Sequence, residues 1–574
     1  MATPATVAST TGFLLGVASH LHVFIRGEWE RYAPDLAAFY AGSVVVSPLV
    51  PLLYLHYVRD DDAPANTATA TTTTTTSSHL FAALLITASF WLSYAVGLFG
   101  SIVRYRVLSH PLKKFPGPLA AKVTGFWSVK ASLPDFKFPR AIQKLHQKHG
   151  DFVRIRPREI SINHVDAVRD IHGPGTRCVK GPFYDLNYPS RSLQMTRDKA
   201  FHAKRRRLWD RGFSMKALKE YEPRVVSHCA ELLSQFSALA AKGEPVEIPR
   251  WVDYFSFDVM GDLVFGKSFN LVRDGGGHFI FRHMESLKPL VGSMTCVPWL
   301  FILLQNMPIA RNKRAEWKQW CALQVEERKK MGTARTDLFS HILDETSDDL
   351  APSLGTIGDL VHDSELAIVA GSDTTASTLA ALVYLLASHR DKQKLLQAEL
   401  DQLLTGVDDI SHQKLATSAP YLEGCINEAL RLYPGAPSGM QRMTPPEGAT
   451  IAGRYIPGDT LVSTPTYTLH RDPRNFTHPD SFIPERWSSQ PHLTPHREAF
   501  NPFLIGAYSC AGKALALLEL RLTAALLFRT FEFEFSEKHH PDGAAGLFDA
   551  KQPGWRDYFT AKTPPFWATM KFRV

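Results

Sequence analysis

Phe503-Leu-Ile-Gly-Ala-Tyr-Ser-Cys-Ala-Gly512 runs without a break into Lys513-Ala-Leu-Ala-Leu-Leu-Glu-Leu-Arg521, a turn-forming stretch followed by a helical pattern. Its two glycines permit a tight backbone path that comes close to a flat ligand. Between them Cys510 stands just ahead of a helix start, where the positive end of the helix dipole favours a thiolate. A cysteine so placed suits metal ligation. Read alone, it also suits a small buried residue in a turn, since free cysteine is among the most buried residue types. The rest of the chain decides between the two.

Length and composition set the frame. At 574 residues the chain holds one large catalytic domain plus appendages, and 45% hydrophobic with 11% aromatic content supplies a sizeable core. Cys178, Cys229, Cys296, Cys321, Cys425 and Cys510 are scattered without paired spacing, which argues against a disulfide framework or a zinc knuckle and for a reducing compartment. A net charge of +8 is compatible with an anionic membrane surface or an acidic protein partner and gives no case for nucleic acid.

Residues 1–110 read as a membrane anchor with up to three transmembrane helices. Residues 80–103 carry no Asp, Glu, Lys or Arg, are closed by Arg104, Arg106, Lys113 and Lys114, and are long enough to cross ~30 Å of hydrocarbon. Residues 36–58 form a second such run, weakened by Pro48 and Pro51; residues 7–25 form a third, which contains His20 and His22. A signal peptide is the alternative for 7–25, but its leading region has no basic residue and no clean cleavage site follows. Three spans put the amino terminus in the lumen and everything after Val103 in the cytosol. The loop with Arg26, Glu28, Glu30 and Arg31 is too mixed in charge to decide the first half of that statement. Between the second and third spans, Arg59-Asp-Asp-Asp62 and a threonine-rich tract to Ser78 read as a solvated loop.

Pro111-Leu-Lys-Lys-Phe-Pro-Gly-Pro118 breaks regular structure, because proline bars helix for itself and disfavours it in the residue before. It reads as a stiff hinge leading into a domain over residues 111–574. That domain is mainly α with a small β portion: residues 152–156 and 160–162 alternate like paired strands, while 217–239, 317–328 and 361–388 show helical spacing. In Phe201-His-Ala-Lys-Arg-Arg-Arg-Leu-Trp209, His202 and Arg206 fall four apart on one helix face. A basic run of this kind is a solvated face, a localisation signal or a binding site. Inside the long helix 361–388 stands Ala370-Gly-Ser-Asp-Thr-Thr375, where glycine and consecutive polar side chains conflict with an apolar helix. Such a conflict marks a kink beside a ligand or a helix-packing notch. Further on, Glu428 and Arg431 share a face in apolar surroundings, and as a buried pair they call for another polar partner; Arg486, in Pro484-Glu-Arg-Trp487, is available.

The long helix with Ala-Gly-x-Asp-Thr, then Glu-x-x-Arg, then Pro-Glu-Arg, then Phe-x-x-Gly-x-x-x-Cys-x-Gly, in that order, resembles the cytochrome P450 family of haem-thiolate monooxygenases from Pro111 to the carboxyl end. The front end, the wording Phe-Pro-Gly-Pro and Gly16-Val-Ala-Ser-His-Leu further resemble fungal microsomal members of secondary metabolism, the tryprostatin B 6-hydroxylase-like group. The resemblance implies a cytochrome P450 fold behind an amino-terminal anchor, haem b as cofactor and Cys510 as the axial thiolate ligand of its iron. It implies Asp373 and Thr374 as the acid and alcohol of a proton relay, with Ala370 and Gly371 leaving room beside the iron. Glu428, Arg431 and Arg486 are expected to brace the cysteine loop, and His202, Arg206 and Arg442 fall where the family holds the haem propionates.

Two departures stand out. Members commonly place Arg two residues before the ligand cysteine, where this chain has Tyr508, which offers a neutral hydrogen bond and no charge. Leu504 replaces a frequent glycine.

No Gly-x-Gly-x-x-Gly fingerprint or flavin module is present, so electrons are expected from NADPH through a membrane-bound reductase docking on the basic surface 204–211. The expected substrate is an apolar small molecule, lined by residues 183–193, 287–304 and 437–443. The apolar run 297–304 suits either a bilayer-dipping patch or a core segment. The expected place is the endoplasmic reticulum membrane with the catalytic domain cytosolic. Rival readings are a haem-thiolate isomerase or dehydratase that consumes no dioxygen, for which the acid and alcohol have no use, and a non-catalytic haem sensor.

Overall fold

The computed structural model describes residues 3–25, 27–57, 72–294, 296–332, 335–343, 357–406, 409–541, 543–544, 546–548 and 554–573. Three segments at the front are long and apolar enough to cross a membrane: Pro4–Phe24, Glu30–His56 and Ser77–Ser109. The second is broken between the helices Ala33–Val46 and Leu49–Tyr57, where Pro48 removes a backbone donor. The third belongs to one helix, Thr72–Arg104, so the end of the threonine tract from residue 72 is helical rather than a loop; Arg59 to Asp62 lie outside the described residues.

The first and third spans pack side by side through glycine. A Cβ added at Gly12, Gly16 or Gly97 would collide with the backbone carbonyl of Phe90, Tyr94 or Phe13. Residue numbers rise together along the contact, from Ser9 on Ser89 to His20 on Ser101 at 2.8 Å. The two helices therefore run parallel. Since the third leads directly into the globular domain, the loop after the first span lies on that domain's side of the bundle and the amino terminus at the other end.

The expected hinge is docked rather than free. Residues Pro111–Lys114 form a short 3-10 turn with Leu112 buried, and Pro116 accepts a hydrogen bond from the Arg154 amide at 2.7 Å. Gly117, at φ 150, leaves no room for a side chain beside the Arg154 carbonyl.

Strands Phe152–Arg156 and Glu159–Ile162 pair antiparallel, as their alternation predicts, and open a five-stranded sheet continued by Leu461–Ser463, Arg442–Met443 and Val179–Lys180. In the last pair Lys180 stands directly opposite Arg442. Like charges opposed across a ladder are unfavourable, and this pair is buried as well.

Helix dominates the remainder. Expected segments extend to Met215–Ala241, Pro308–Lys330 and Ile357–Ser388. The last, 32 residues or about 48 Å of helix, is also apolar enough to cross a membrane, but most of it is buried in the domain core, packed on Ile248–Phe265. Three of its hydroxyls are satisfied along the helix: Ser372, Thr374 and Thr378 each donate to the carbonyl four residues back, at 2.7 to 2.8 Å. Gly371 makes a packing notch, since a Cβ there would lie 2.6 Å from the Met260 sulfur.

Candidate functional site

The cysteine loop is a constrained turn. The Cys510 amide donates to the Phe503 carbonyl at 2.9 Å, closing the stretch on itself. Gly506 has φ 73 and sits so close to the His172 carbonyl that no side chain fits. Leu504 is also left-handed, φ 56, where a non-glycine residue costs about 1–2 kcal/mol. Gly512 has an ordinary negative φ and a Cβ would only touch Phe213, so of the two glycines read from sequence one is required by backbone geometry. The helix Lys513–Thr530 begins directly after Gly512. Burial pushes the Cys510 thiol up, while hydrogen bonds from the Gly512 and Lys513 amides and the nearby Arg206 and Lys513 charges draw it back towards thiolate. The free sulfhydryl is open to the cavity that it lines; the other five cysteines are buried.

Behind the loop lies a closed ion network. Glu428 receives Arg431 Nε and Nη2 at 2.7 Å each, Arg486 Nε at 3.0 Å, Trp487 Nε1 at 3.1 Å and the Ile483 amide at 3.0 Å. The spare donors of Arg431 reach the carbonyls of His470 and Ser481, and those of Arg486 reach Thr477 and Leu493. Burial pushes Glu428 up, but Arg431 and Arg486 hold it below the usual carboxylate range. His470 carries the network to the loop: the Asn501 amide donates to its Nε2 at 3.2 Å, so its Nδ1–H faces the Arg431 carbonyl. Trp487 packs its ring, tilted by 50°, 4.4 Å from that of Phe500. Sequence reading found the three charges and missed His470 and Trp487, which join them to the loop.

One cavity of about 410 Å³ brings the motifs together. Cys510, Leu515 and Phe503 line it from the cysteine side and Ala370, Gly371 and Thr374 from the long helix. Asp373 is turned away: its carboxylate takes Lys288 Nζ at 3.0 Å and Thr560 Oγ1 at 3.4 Å, and Lys288 also holds Glu285. Of the three expected substrate stretches, 183–193 and 437–443 contribute lining residues and 287–304 contributes none. That third stretch includes the helix Pro298–Gln305, which packs against the anchor at Glu30–Tyr32 and Ala33–Val46. The turn residue Phe559, φ 85, and Thr560 line the cavity from a carboxyl-terminal hairpin that carried no sequence signal.

Around Tyr508 the cavity wall gathers positive groups. The Lys180 ammonium lies 4.9 Å and the Arg442 guanidinium 4.8 Å from the Tyr508 ring centre, and the His202 ring packs on it at 4.7 Å. Lys180 is nearly fully buried; its ammonium donates to the carbonyls of Leu193 and Gln194, at 3.1 and 2.7 Å. Burial and the Arg442 charge both disfavour its proton and bring it down to about 6. His202 is held neutral, down at about 3, by burial and then by Lys180, Arg206 and Arg442. Buried Arg442 Nε has no protein acceptor. Arg206 lines the cavity as well, and it donates to the Ser509 carbonyl of the loop at 2.6 Å and to Asp210 at 2.7 Å. The expected basic surface is likewise split: Lys204, Arg207 and Arg211 are exposed, while Arg205 is buried against Asp363.

The cytochrome P450 family model matches residues 116–547. The chain belongs to the cytochrome P450 family. It is 43% identical over 518 residues to the cytochrome P450 monooxygenase nodW of Hypoxylon pulicicidum, covering 90% of each chain. It is 39% identical to the cytochrome P450 monooxygenase FCK2 of Fusarium pseudograminearum, over 96% of this chain and 95% of that one. Tryprostatin B 6-hydroxylase of Aspergillus fumigatus matches at 35% over 94% of this chain and 92% of its own. The protein is thus an enzyme of the cytochrome P450 monooxygenase class.

A cytochrome P450 implies haem. The cavity fits a flat group bearing two carboxylates: it has a thiol on one wall and, on another, buried Lys180 and Arg442 with an orphaned Nε. Position 508 carries no basic group in this P450, and a lysine reaches its ring from the strand Val179–Lys180. Lys180 was invisible to motif reading, because only the register opposite Arg442 brings it there.

Proposed function

We propose that this P450 is a membrane-bound monooxygenase that takes electrons from NADPH through a reductase and hydroxylates an apolar small molecule of fungal secondary metabolism. Its place is the endoplasmic reticulum membrane, with the catalytic domain in the cytosol. The observation that carries the reading is that Cys510 and Thr374, from motifs far apart in sequence, line one cavity whose wall also presents the buried basic side chains of Lys180 and Arg442.

Haem b, when bound, supplies the dioxygen chemistry, with Cys510 as the thiolate ligand of its iron. Lys180 and Arg442 would neutralise its propionates, and His202 and Tyr508 would add neutral contacts. Arg206 acts on the loop by fixing the Ser509 carbonyl. Thr374 exchanges its bond to the Ala370 carbonyl for a water in the cavity, and Asp373, from its place on Lys288, passes protons towards it. The apolar lining, including Leu366, Val369 and Phe559, excludes bulk water and favours a greasy substrate. Exposed Lys204, Arg207 and Arg211 offer an acidic reductase a salt-sensitive docking face.

The test is the absorption spectrum of the reduced protein with carbon monoxide, in membranes co-expressing a reductase. A Soret band strongly shifted to the red, lost in Cys510→Ala, is the expected result. The same band in Cys510→Ala overturns the ligand assignment. Thr374→Ala is expected to uncouple NADPH use from product formation, and unchanged coupling removes the proton-relay role.

A further inference from the structure

The loop between the first two spans makes polar contacts with the catalytic domain that a simple tether does not need. Glu28 places both carboxylate oxygens on Arg197, with Oε1 at 3.1 Å from Nη2, and lies 3.5 Å from Arg158. Glu30 takes Arg158 Nη2 at 3.1 Å, and the Arg31 guanidinium lies 5.1 Å from the Tyr188 ring centre. All four charged partners in these three ion pairs are partly shielded, so these bonds are stronger than open surface pairs.

Arg197 connects this loop to the cavity. Besides Glu28 it holds Asp185 Oδ2 at 3.0 Å and, through Nε, the Lys180 carbonyl at 3.0 Å. Lys180 in turn holds the carbonyls of Leu193 and Gln194. Tyr184, Asn187, Ser192, Leu193, Gln194 and Met195 all line the cavity. A continuous run of direct hydrogen bonds therefore leads from the membrane anchor to the cavity wall. The loop cannot drift, because the first span is locked against the third by Gly12, Gly16 and Gly97.

We propose that residues 27–31 position the segment covering the substrate cavity, with Glu28 as the positioning residue acting through Arg197. The anchor then sets access to the cavity in addition to holding the enzyme at the membrane. This rests on the cavity being the substrate site, and the experiment separates the two ideas.

Full-length protein in phospholipid nanodiscs is compared with Glu28→Gln, Arg197→Gln and the double variant. Hydrogen exchange of peptides covering residues 182–197 is expected to speed up about fivefold in Glu28→Gln, with peptides from 357–388 unchanged. Because Glu28 works through Arg197, the double variant should exchange no faster than Arg197→Gln alone. In haem-loaded samples 4-phenylimidazole, a bulky iron ligand, should bind about fivefold faster in Glu28→Gln while imidazole binds at the wild-type rate. Unchanged exchange in Glu28→Gln, or fully additive effects in the double variant, overturns the proposal. Altered exchange with equal azole rates overturns the access role. The exchange arm needs no haem, so a failure of the Cys510 assignment would show separately in the spectrum.

Discussion

Two buried clusters of charge flank the cysteine loop, and they are built on opposite terms. At Glu428, Arg431 and Arg486 every charge meets its complement and the spare donors end on carbonyls, so the cluster is complete within the protein. At Lys180 and Arg442 two basic side chains oppose each other across a strand pair, with Arg442 Nε unmatched among the described residues. A closed network of this kind braces structure; an open one costs stability until an anion arrives. The difference separates a scaffold from a binding site without reference to motif.

Breaking the closed cluster is expected to have the largest effect. Arg431→Ala leaves Glu428 buried with two of its five hydrogen bonds gone, a loss of about 3–5 kcal/mol against a typical net stability of about 5–15. Urea unfolding of the full-length protein in detergent, read with haem content, should show a collapsed midpoint and little retained haem. A midpoint near wild type would mean that the network is ornamental.

The open cluster should respond in the other sense. Lys180→Met is expected to stabilise the haem-free protein and to speed haem loss to apomyoglobin about tenfold, because it removes a burial cost and an anion partner together. Its pH dependence follows from the lysine's value of about 6 when folded against an ordinary value near 10.5. Between these limits the unfolded chain binds the extra proton, so stability of the haem-free protein rises with pH across that window. Bound propionates restore the charge and should flatten the slope, and Lys180→Met should flatten it without haem. A slope that is the same in wild type and Lys180→Met would assign it elsewhere.

The smallest effect sharpens the comparison at the loop that joins the two clusters. Leu504→Gly relieves a left-handed backbone, with an expected gain of about 0.5–1 kcal/mol after the entropy cost of glycine, seen as a higher thermal midpoint with an unchanged carbon monoxide spectrum. A lower midpoint would show that the leucine side chain is worth more than the strain.

Much of the fold was readable because its signals are local. The uncharged run before Arg104 gives a span, the alternation at 152–156 a strand, and the polar interruption at 370–375 a site within a core helix, since each depends on residues within a few turns of one another. The docking of the hinge was not readable for the same reason: prolines forbid helix locally, but the contact of Pro116 with Arg154 is long-range.

Sequence alone determined the family, the setting of Cys510 ahead of a helix and the three charges Glu428, Arg431 and Arg486, because these are written in ordered motifs whose chemistry is short-ranged. Tertiary structure decided that Lys180 faces Arg442, that Arg206 serves the loop backbone and that Asp373 rests on Lys288. It also decided that Glu28 reaches Arg197 and that the first span runs parallel to the third. Those facts depend on strand register, helix packing and side-chain direction, and residues so far apart in the chain leave no local periodicity from which to read them.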